Sequence, residues 1–228
     1  MIRALAFDFD GFLLDTDTAL IAAYGDVHRA HSRIFDREAF NRAIGTIGQT
    51  FNPWKGFGPA APRSMLEREF HKFHQARLAK IDVMPGVREL IDEARKRGLF
   101  TGCATNSPRA VVQTYLKAFG LFERIDHLVC REDAAAPKPA PDLYATLGQR
   151  LGVNPDEILA FEDSGAGVTA AKAAGLWCAA VPTPSTLGHD FRAADFIVKD
   201  LAATPLAELF MNVLRAGRRG DSRPPNGV

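Results

Sequence analysis

The sequence is poor in cysteine, and the few cysteines are spread along the chain. Only three of its 228 residues are cysteines, at Cys103, Cys130 and Cys178, and no two of them form a C-x-x-C pair. An odd count with wide spacing argues against a disulfide framework and against a zinc site. We therefore expect three small buried thiols in a protein of the reducing cytoplasm.

The chain also has no large excess of charge of either sign and no long apolar run. The 28 Lys and Arg residues nearly balance the 27 Asp and Glu residues, for a net charge of +1. This balance argues against a protein that coats nucleic acid or an anionic membrane. No apolar run approaches the roughly 18 residues of a transmembrane helix, and Asp8 and Asp10 come too early for a secretory signal. We expect no nucleic-acid partner, no membrane partner and a monomer.

Six short apolar runs predict strands that are covered on both faces, as in a parallel sheet. Helical patterns separate them, and Pro85 and Gly98 mark the start and the end of one such helix. Ser107 is predicted to cap a second helix, with Pro108 at its first position. The alternation predicts an α/β fold with a doubly wound, Rossmann-like parallel sheet. The predicted strands are 2–9, 99–104, 127–130, 158–161, 178–181 and 196–198, and the remaining helices are 142–151 and 165–174.

One segment interrupts this alternation. Between about residues 17 and 80 there is no strand pattern, and helical patterns cover 18–32, 37–44 and 63–80. We interpret this segment as a small all-α helical cap inserted after the first strand. The predicted organisation is a core of residues 1–16 and 81–215, a cap of 17–80, and a flexible tail of 216–228 that lacks apolar residues.

Histidines and large aromatics in the cap have an ordinary structural interpretation. His28 and His31 lie three residues apart on one predicted helix, and His71 and His74 do so on another. No third metal ligand follows at a useful spacing, so we interpret all four as exposed helix positions. Trp54 and Phe57 are interpreted as packing residues of the cap.

Carboxylates follow two of the predicted strands. Asp8 and Asp10 come after the first strand, and Glu162 and Asp163 end the strand ILAF. The carboxyl ends of parallel strands share one edge of the sheet, so these groups can converge. A hard divalent cation such as Mg²⁺ relieves the repulsion of clustered carboxylates. A second D-x-D pair, Asp15 and Asp17, is interpreted as a turn or helix N-cap.

Two further positions suit an anionic ligand. Thr105 ends the strand LFTGCA just before a helix start, where free N–H groups and the helix dipole favour a phosphate. Lys138 stands between Pro137 and Pro139, which restrict the backbone and so fix the position of the cation. Either feature alone is also compatible with an ordinary surface loop.

The order of these motifs resembles the haloacid dehalogenase-like superfamily of hydrolases. DFDGFLLDTD, TNS, KPAPD and FEDSGAGVTAAKAAG are similar to its four motifs, in order. The last is close to the form in the β-phosphoglucomutase and sugar-phosphatase branch, whose helical cap follows the first strand. The resemblance implies that Asp8 is the nucleophile and Asp10 the general acid and base. It also implies a phosphoryl site at Thr105, Asn106 and Lys138, and a Mg²⁺ site made by the residues Asp8, Asp10, Glu162 and Asp163.

Two features of the sequence narrow the choice among the activities of the superfamily. Asp10 argues against a dehalogenase, since dehalogenases of the superfamily lack this acid. Phosphomutases of the branch use a cap arginine after a glycine, and no arginine closely follows Gly45. We therefore favour a Mg²⁺-dependent phosphatase that hydrolyses a small phosphorylated metabolite, a sugar phosphate, through an aspartyl-phosphate. The alternatives are a sugar phosphomutase and, remotely, a non-catalytic binding module. Candidate substrate contacts of the cap are Thr46, Gln49 and Lys55.

Overall fold

The computed structural model describes residues 1–45, 51–58 and 61–221. In these ranges six parallel strands form one sheet in the order β3-β2-β1-β4-β5-β6. β1 lies at the centre, with Phe7 opposite both Cys103 of β2 and Phe161 of β4. The first strand is therefore the point where the strand order reverses, and ligands bind beyond the carboxyl ends at such a point. The strands are β1 Ala4–Phe7, β2 Phe100–Ala104, β3 His127–Val129, β4 Ile158–Glu162, β5 Trp177–Ala180 and β6 Phe196–Ile197.

Helices connect and cover these strands. Seven of them agree with the predicted helices to within a few residues at each end. The eighth, α8, was not predicted, and it continues to Asp221, into the segment predicted to be a tail. Its residues Leu206, Leu209 and Val213 are buried in the core, which explains why a helix forms on this side of the sheet. The helices are α1 Thr16–Ala30, α2 Arg37–Ala43, α3 Arg63–Leu78, α4 Val87–Lys96, α5 Arg109–Ala118, α6 Asp142–Leu151, α7 Gly165–Ala173 and α8 Leu206–Asp221.

The sheet is buried on both faces, as the apolar runs predicted. Alternate residues of β1 point to opposite sides, with Leu5 and Phe7 in one apolar cluster and Ala4 and Ala6 in the other. The alanine face lets α6 and α7 pack close to the sheet. The fold class predicted from the alternation is confirmed. Cys103, Cys130 and Cys178 are buried free thiols, as expected.

The insertion after β1 has apolar clusters of its own. Tyr24 of α1 stacks on Phe70 of α3, with ring centroids 4.2 Å apart, and Trp54 and Leu66 are buried in the same cluster. This confirms a helical cap and the packing role of Trp54. The prediction for His28 is wrong, because its ring is buried against these aromatics, where the α1 face turns inward. The exact limits of the cap, residues 17 and 80, stay a prediction.

Hydrogen bonds join the cap to the core. Where the chain leaves and re-enters the core, the N–H of Met84 donates to the carbonyl of Leu13 at 3.0 Å. The side chain of Asn106 donates to the carbonyl of Gly45 at 3.1 Å, and Nε2 of His189 donates to the carbonyl of Asn41 at 2.7 Å. These contacts hold the cap over the carboxyl edge of the sheet. Among the described helices, none has both the length and the apolar composition needed to cross a membrane.

Candidate active site

Three buried carboxylates meet beyond the ends of the two central strands. Asp8 directly follows β1, Glu162 ends β4, and Asp163 follows it. Since β1 and β4 are neighbours in register, their last residues lie side by side. One oxygen from each carboxylate lies within 4.8 Å of the others, and all three side chains are buried. The structure thus brings together three of the four acidic residues predicted to hold Mg²⁺, and Asp10, the fourth, is not part of this cluster.

Lys138 is the cation that faces this cluster. Its Nζ donates to Asp8 Oδ1 at 2.5 Å, to Glu162 Oε1 at 2.6 Å and to the carbonyl of Ala104 at 2.8 Å. Tyr144 of α6 donates its hydroxyl to Glu162 Oε1 at 2.5 Å. Lys138 therefore connects the nucleophile candidate Asp8 to the end of β4.

The electrostatics of the site favour a bound cation. Burial raises the pKa of Asp8 and of Asp163, and neighbouring carboxylates raise both pKa values further. Burial also raises the pKa of Glu162 to about 7. Burial acts to lower the pKa of Lys138, but Asp8 and Glu162 outweigh it and raise that pKa overall. The site thus holds three carboxyl groups against one ammonium, and the raised pKa values show that their full ionisation is costly unless a further cation is bound.

One orphaned oxygen strengthens this conclusion. Asp163 Oδ2 is buried and has no hydrogen-bond partner among the described residues. An unpaired buried carboxylate oxygen is costly unless a ligand or an ion satisfies it. The donors are all oxygen atoms, which suits a hard divalent ion. The residues present therefore fit a divalent metal held by Asp8, Glu162 and Asp163.

Asp10 lies beside this cluster and is held by two hydroxyls. Thr16 donates to its Oδ1 at 2.7 Å and Ser107 donates to its Oδ2 at 2.5 Å. The prediction that Ser107 caps α5 is wrong: the helix starts at Arg109, and Pro108, whose side chain can accept no hydrogen bond, occupies the cap position. The Ser107 hydroxyl is directed to Asp10 because the N–H of Ser107 binds Thr105 Oγ1 at 3.0 Å, which tightens the turn after β2.

The side chain of Asn106 ties three parts of the site together. It donates to the carbonyl of Gly45 in the cap at 3.1 Å and accepts the N–H of Lys138 at 2.9 Å. Its side chain is thus engaged in positioning Lys138, while a phosphoryl contact of its backbone N–H stays a prediction. Thr105 is buried next to it at the end of β2, where it was predicted.

Asp15 and Asp17 have different roles, although the sequence suggested one role for both. Asp15 caps α1, since its side chain accepts the N–H of Thr18 at 3.3 Å. Asp17 does not act as a cap: it is buried, and its Oδ2 has no partner among the described residues. Burial and the nearby Asp10 and Asp8 raise the pKa of Asp17 to about 8. Gly11 separates Asp17 from Asp163, and a β-carbon there would lie 2.4 Å from Asp163 Oδ2.

These residues line a cavity of about 540 Å³ between core and cap. Its buried wall carries Asp8, Asp17, Thr105, Lys138 and Asp163, with the half-buried Asp10 and Asn106 beside them. Its more exposed wall carries cap residues, among them Leu20, His74 and Leu78, and core residues Val111, Tyr115 and Arg131.

The structure describes one of the three candidate substrate contacts of the cap and does not place it in the cavity. Lys55 lies exposed in a single turn of 3-10 helix, Lys55–Phe57, and is not among the described residues that line the cavity. Thr46 and Gln49 fall in 46–50, outside the described residues. His74, interpreted as exposed, is half-buried and faces the cavity, and its Nε2 has no partner among the described residues.

Sequence reasoning missed several residues of the site. Thr16 and Asp17 are the last two residues of the first motif, so their position in the chain was a usable signal. Tyr144 and Arg131 gave none, because a tyrosine on a helix indicates packing and a lone arginine in a loop indicates a solvated charge. Only the meeting of β1, β3 and α6 at one edge of the sheet shows that both residues belong to the site.

Comparison with known proteins agrees with this geometry. The family model described as haloacid dehalogenase-like hydrolase matches residues 2–175. The chain belongs to this family of hydrolases. Protein CbbY of Rhodobacter capsulatus is 34% identical over 221 residues, covering 89% of this chain and 95% of that protein. Hexitol phosphatase B of Escherichia coli (strain K12) is 29% identical over 218 residues, covering 91% and 94%.

A solved structure of a related protein has the same fold as this hydrolase. CbbY from Rhodobacter sphaeroides, in a variant bound to xylulose-(1,5)bisphosphate, is 28% identical with a TM-score of 0.74, and the match covers 92% of this chain and 99% of that one. The resemblance inferred from the four motifs is thereby confirmed, including the sugar-phosphatase and β-phosphoglucomutase branch.

Proposed function

We propose that this hydrolase is a Mg²⁺-dependent phosphatase that removes the phosphoryl group of a small phosphorylated sugar through an aspartyl-phosphate on Asp8. The observation that carries the proposal is the convergence of Asp8, Glu162 and Asp163 around one point, with Lys138 against Asp8. The enzyme class, phosphoric monoester hydrolase, is confirmed by the family and by its phosphatase relatives.

In the proposed reaction, Asp8 attacks phosphorus and the bond to the leaving oxygen breaks. Asp8 is suited to this step because Lys138 binds its Oδ1 and leaves Oδ2 free of that contact. Asp10 gives a proton to the leaving alkoxide and then takes one from the water that opens the aspartyl-phosphate. Thr16 and Ser107 hold Asp10 in place for both transfers.

The phosphoryl oxygens would lie between Lys138, Thr105 and the backbone N–H of Asn106. A divalent metal would be held by Asp8, Glu162 and Asp163, and when bound it supplies positive charge that offsets repulsion between the carboxylate and the phosphate. Tyr144 and Lys138 orient Glu162 toward this point. The cap excludes bulk water from the buried wall.

Support for a sugar phosphate comes from the relatives. One is named a hexitol phosphatase, and another binds a xylulose bisphosphate in its solved structure. A cavity of about 540 Å³ is large enough for a phosphorylated sugar. The alternative hypothesis, a sugar phosphomutase, differs in product: it would interconvert isomers and release little phosphate.

A panel of sugar and polyol phosphates, assayed for phosphate release with Mg²⁺ and with EDTA, tests the proposal. Phosphate release should require Mg²⁺ and should fall by at least about 10³-fold in Asp8→Asn, which removes the nucleophile. Asp15→Asn is the matched control, because Asn caps a helix as well as Asp does and the residue does not line the cavity. Phosphate release by Asp8→Asn at the wild-type rate would refute the assignment of the nucleophile.

A further inference from the structure

Arg131 brings a second cation to the wall of the candidate active site. It follows β3 and begins a single 3-10 turn, Arg131–Asp133. Its side chain is exposed, lines the cavity, and has no hydrogen-bond or ion-pair partner among the described residues. Lys138, on the buried wall of the same cavity, is already bound by Asp8 and Glu162.

The acids next to Arg131 in the chain are engaged elsewhere. Glu132 accepts the backbone N–H of Arg109 at 3.1 Å. Asp133 binds Arg150 at 2.7 Å and also binds the side chain of Arg109. Both acids therefore point toward other arginines, and the guanidinium of Arg131 keeps its positive charge available to the cavity.

A backbone contact places Arg131 close to the leaving-group side of the reaction. The N–H of Arg131 donates to the carbonyl of Ser107 at 3.3 Å, and the hydroxyl of Ser107 donates to Asp10 at 2.5 Å. Asp10 is the proposed proton donor to the leaving alkoxide. An anion bound by Arg131 would thus belong to the part of the substrate that leaves, not to the phosphoryl group on Asp8.

The surroundings of Arg131 favour an anion over a neutral group. Val111 and Tyr115 of α5 form the neighbouring wall, and Leu20 and Leu78 of the cap line the same cavity. The leucine and valine side chains provide no acceptors that compete for the guanidinium, and apolar surroundings strengthen a charge pair. A guanidinium binds a phosphate or carboxylate through two parallel hydrogen bonds, which gives geometric specificity.

We propose that Arg131 is a specificity residue that binds a second anionic group, a phosphate or a carboxylate, on the leaving-group side of the substrate. This rests on the proposed phosphatase function and names its substrate class: phosphate monoesters that carry another anion. The cation that phosphomutases of the branch take from the cap is thus supplied in this chain by the core, from the turn after β3.

Two matched substrate pairs test this role. Glucose 1,6-bisphosphate is compared with glucose 6-phosphate, and 3-phosphoglycerate with glycerol 3-phosphate, so that the arms separate a second phosphate from a carboxylate. The wild-type enzyme should prefer the doubly anionic member of at least one pair. Arg131→Ala should lower kcat/KM for that member by roughly 10- to 100-fold. It should change kcat/KM for the singly anionic member of the same pair by less than about twofold.

Two further variants control for charge and for fold. Arg131→Lys keeps the positive charge but cannot form the two parallel hydrogen bonds of a guanidinium. This variant should recover part of the kcat/KM that Arg131→Ala loses. Arg68→Ala removes an exposed arginine of α3 that does not line the cavity, and it should leave the preference unchanged. An equal loss for both members of each pair, or no loss for either, would overturn the role of Arg131.

A binding measurement separates this proposal from the proposed function. In the Asp8→Asn background, calorimetric titration of the same four compounds reports affinity without turnover. If no ester is hydrolysed but Arg131→Ala still removes the affinity difference within a pair, the phosphatase assignment fails and the anion site stands. If esters are hydrolysed but neither affinity nor kcat/KM distinguishes the members of a pair, the anion site fails and the phosphatase assignment stands.

Discussion

The carboxylate of Glu162 occupies the space where a side chain on Gly167 would begin. A β-carbon on Gly167 would lie 1.8 Å from Glu162 Oε2, far inside van der Waals contact. Lys138 and Tyr144 hold the other oxygen of Glu162, so the carboxylate has little freedom to move aside. The proposed metal site therefore requires a residue without a side chain at position 167, in the first turn of α7.

Gly167→Ala tests this relationship. We expect a loss of about 1–3 kcal/mol in the free energy of unfolding, from overpacking, and weaker Mg²⁺ binding because Glu162 is displaced. Urea unfolding and calorimetric Mg²⁺ titration measure the two effects. Gly25→Ala in α1 is the matched control, since nothing lies within 4 Å of its added carbon. That variant should keep its Mg²⁺ affinity and gain about 0.5–1 kcal/mol, and equal Mg²⁺ affinity in both variants would contradict the prediction.

Lys138→Met tests the charge balance of the site. Removing the ammonium leaves Asp8 and Glu162 buried without a cation, although Tyr144 still donates to Glu162, so we expect a loss of about 3–5 kcal/mol at pH 8 in metal-free protein. The loss should be smaller at pH 5, where the carboxyls are more readily protonated. Chemical unfolding at both pH values measures it. Lys172→Met removes a more exposed lysine that pairs with Asp195 and should cost only about 1 kcal/mol. Equal losses in the two variants would count against a special role for Lys138.

Asp17 makes the stability of the metal-free protein dependent on pH. Its pKa is about 8 in the folded protein, raised from 3.8, so the folded state holds a proton that the unfolded state has lost. Between these values the folded state binds more protons, and stability must fall as pH rises from about 4 to 8. Burial raises the pKa values of Asp8 and Asp163 in the same direction.

Thermal unfolding in EDTA from pH 5 to 8.5 measures this slope. We expect Tm to fall with rising pH, Mg²⁺ to restore it most at the alkaline end, and Asp17→Asn to flatten the EDTA curve. Asp15→Asn, which keeps the cap of α1, should retain the wild-type slope. A Tm that rises through this pH range in EDTA would show that Asp17 is ionised in the folded protein.

Asn106 is predicted to couple the cap to Lys138, the proposed phosphate-binding lysine. Asn106→Ala loses the bonds to Gly45 and to the backbone of Lys138, so we expect about 1–3 kcal/mol less stability and a lower kcat. Asn106→Asp keeps an acceptor for the N–H of Lys138 but cannot donate to Gly45. Steady-state kinetics and urea unfolding of both variants separate the two bonds. Full activity in both variants would show that neither bond positions Lys138.

Much of the fold could be predicted because its signals are local. Runs such as ALAF and ILAF are apolar at every position, which only a strand covered on both faces requires, and both became central strands. The insertion was visible because helical spacing replaced strand patterns between residues 17 and 80. Helix α8 was missed although Leu206, Leu209 and Val213 follow a helical stripe, because the polar residues beyond them suggested a tail.

The sequence by itself determined the order of the acidic, threonine and lysine motifs, and with it the family and the general place of the site. Only the tertiary structure decided which neighbouring side chains join that site. Asp15 and Asp17 are two residues apart and chemically alike, yet one caps α1 and the other is buried beside the carboxylates. Asp15 stands just before the first turn of α1, whereas Asp17 lies within that turn and next to Gly11, which the fold places against Asp163. In the same way Arg131 faces the cavity because β3 ends at the same edge as β1, a relationship that no local pattern encodes.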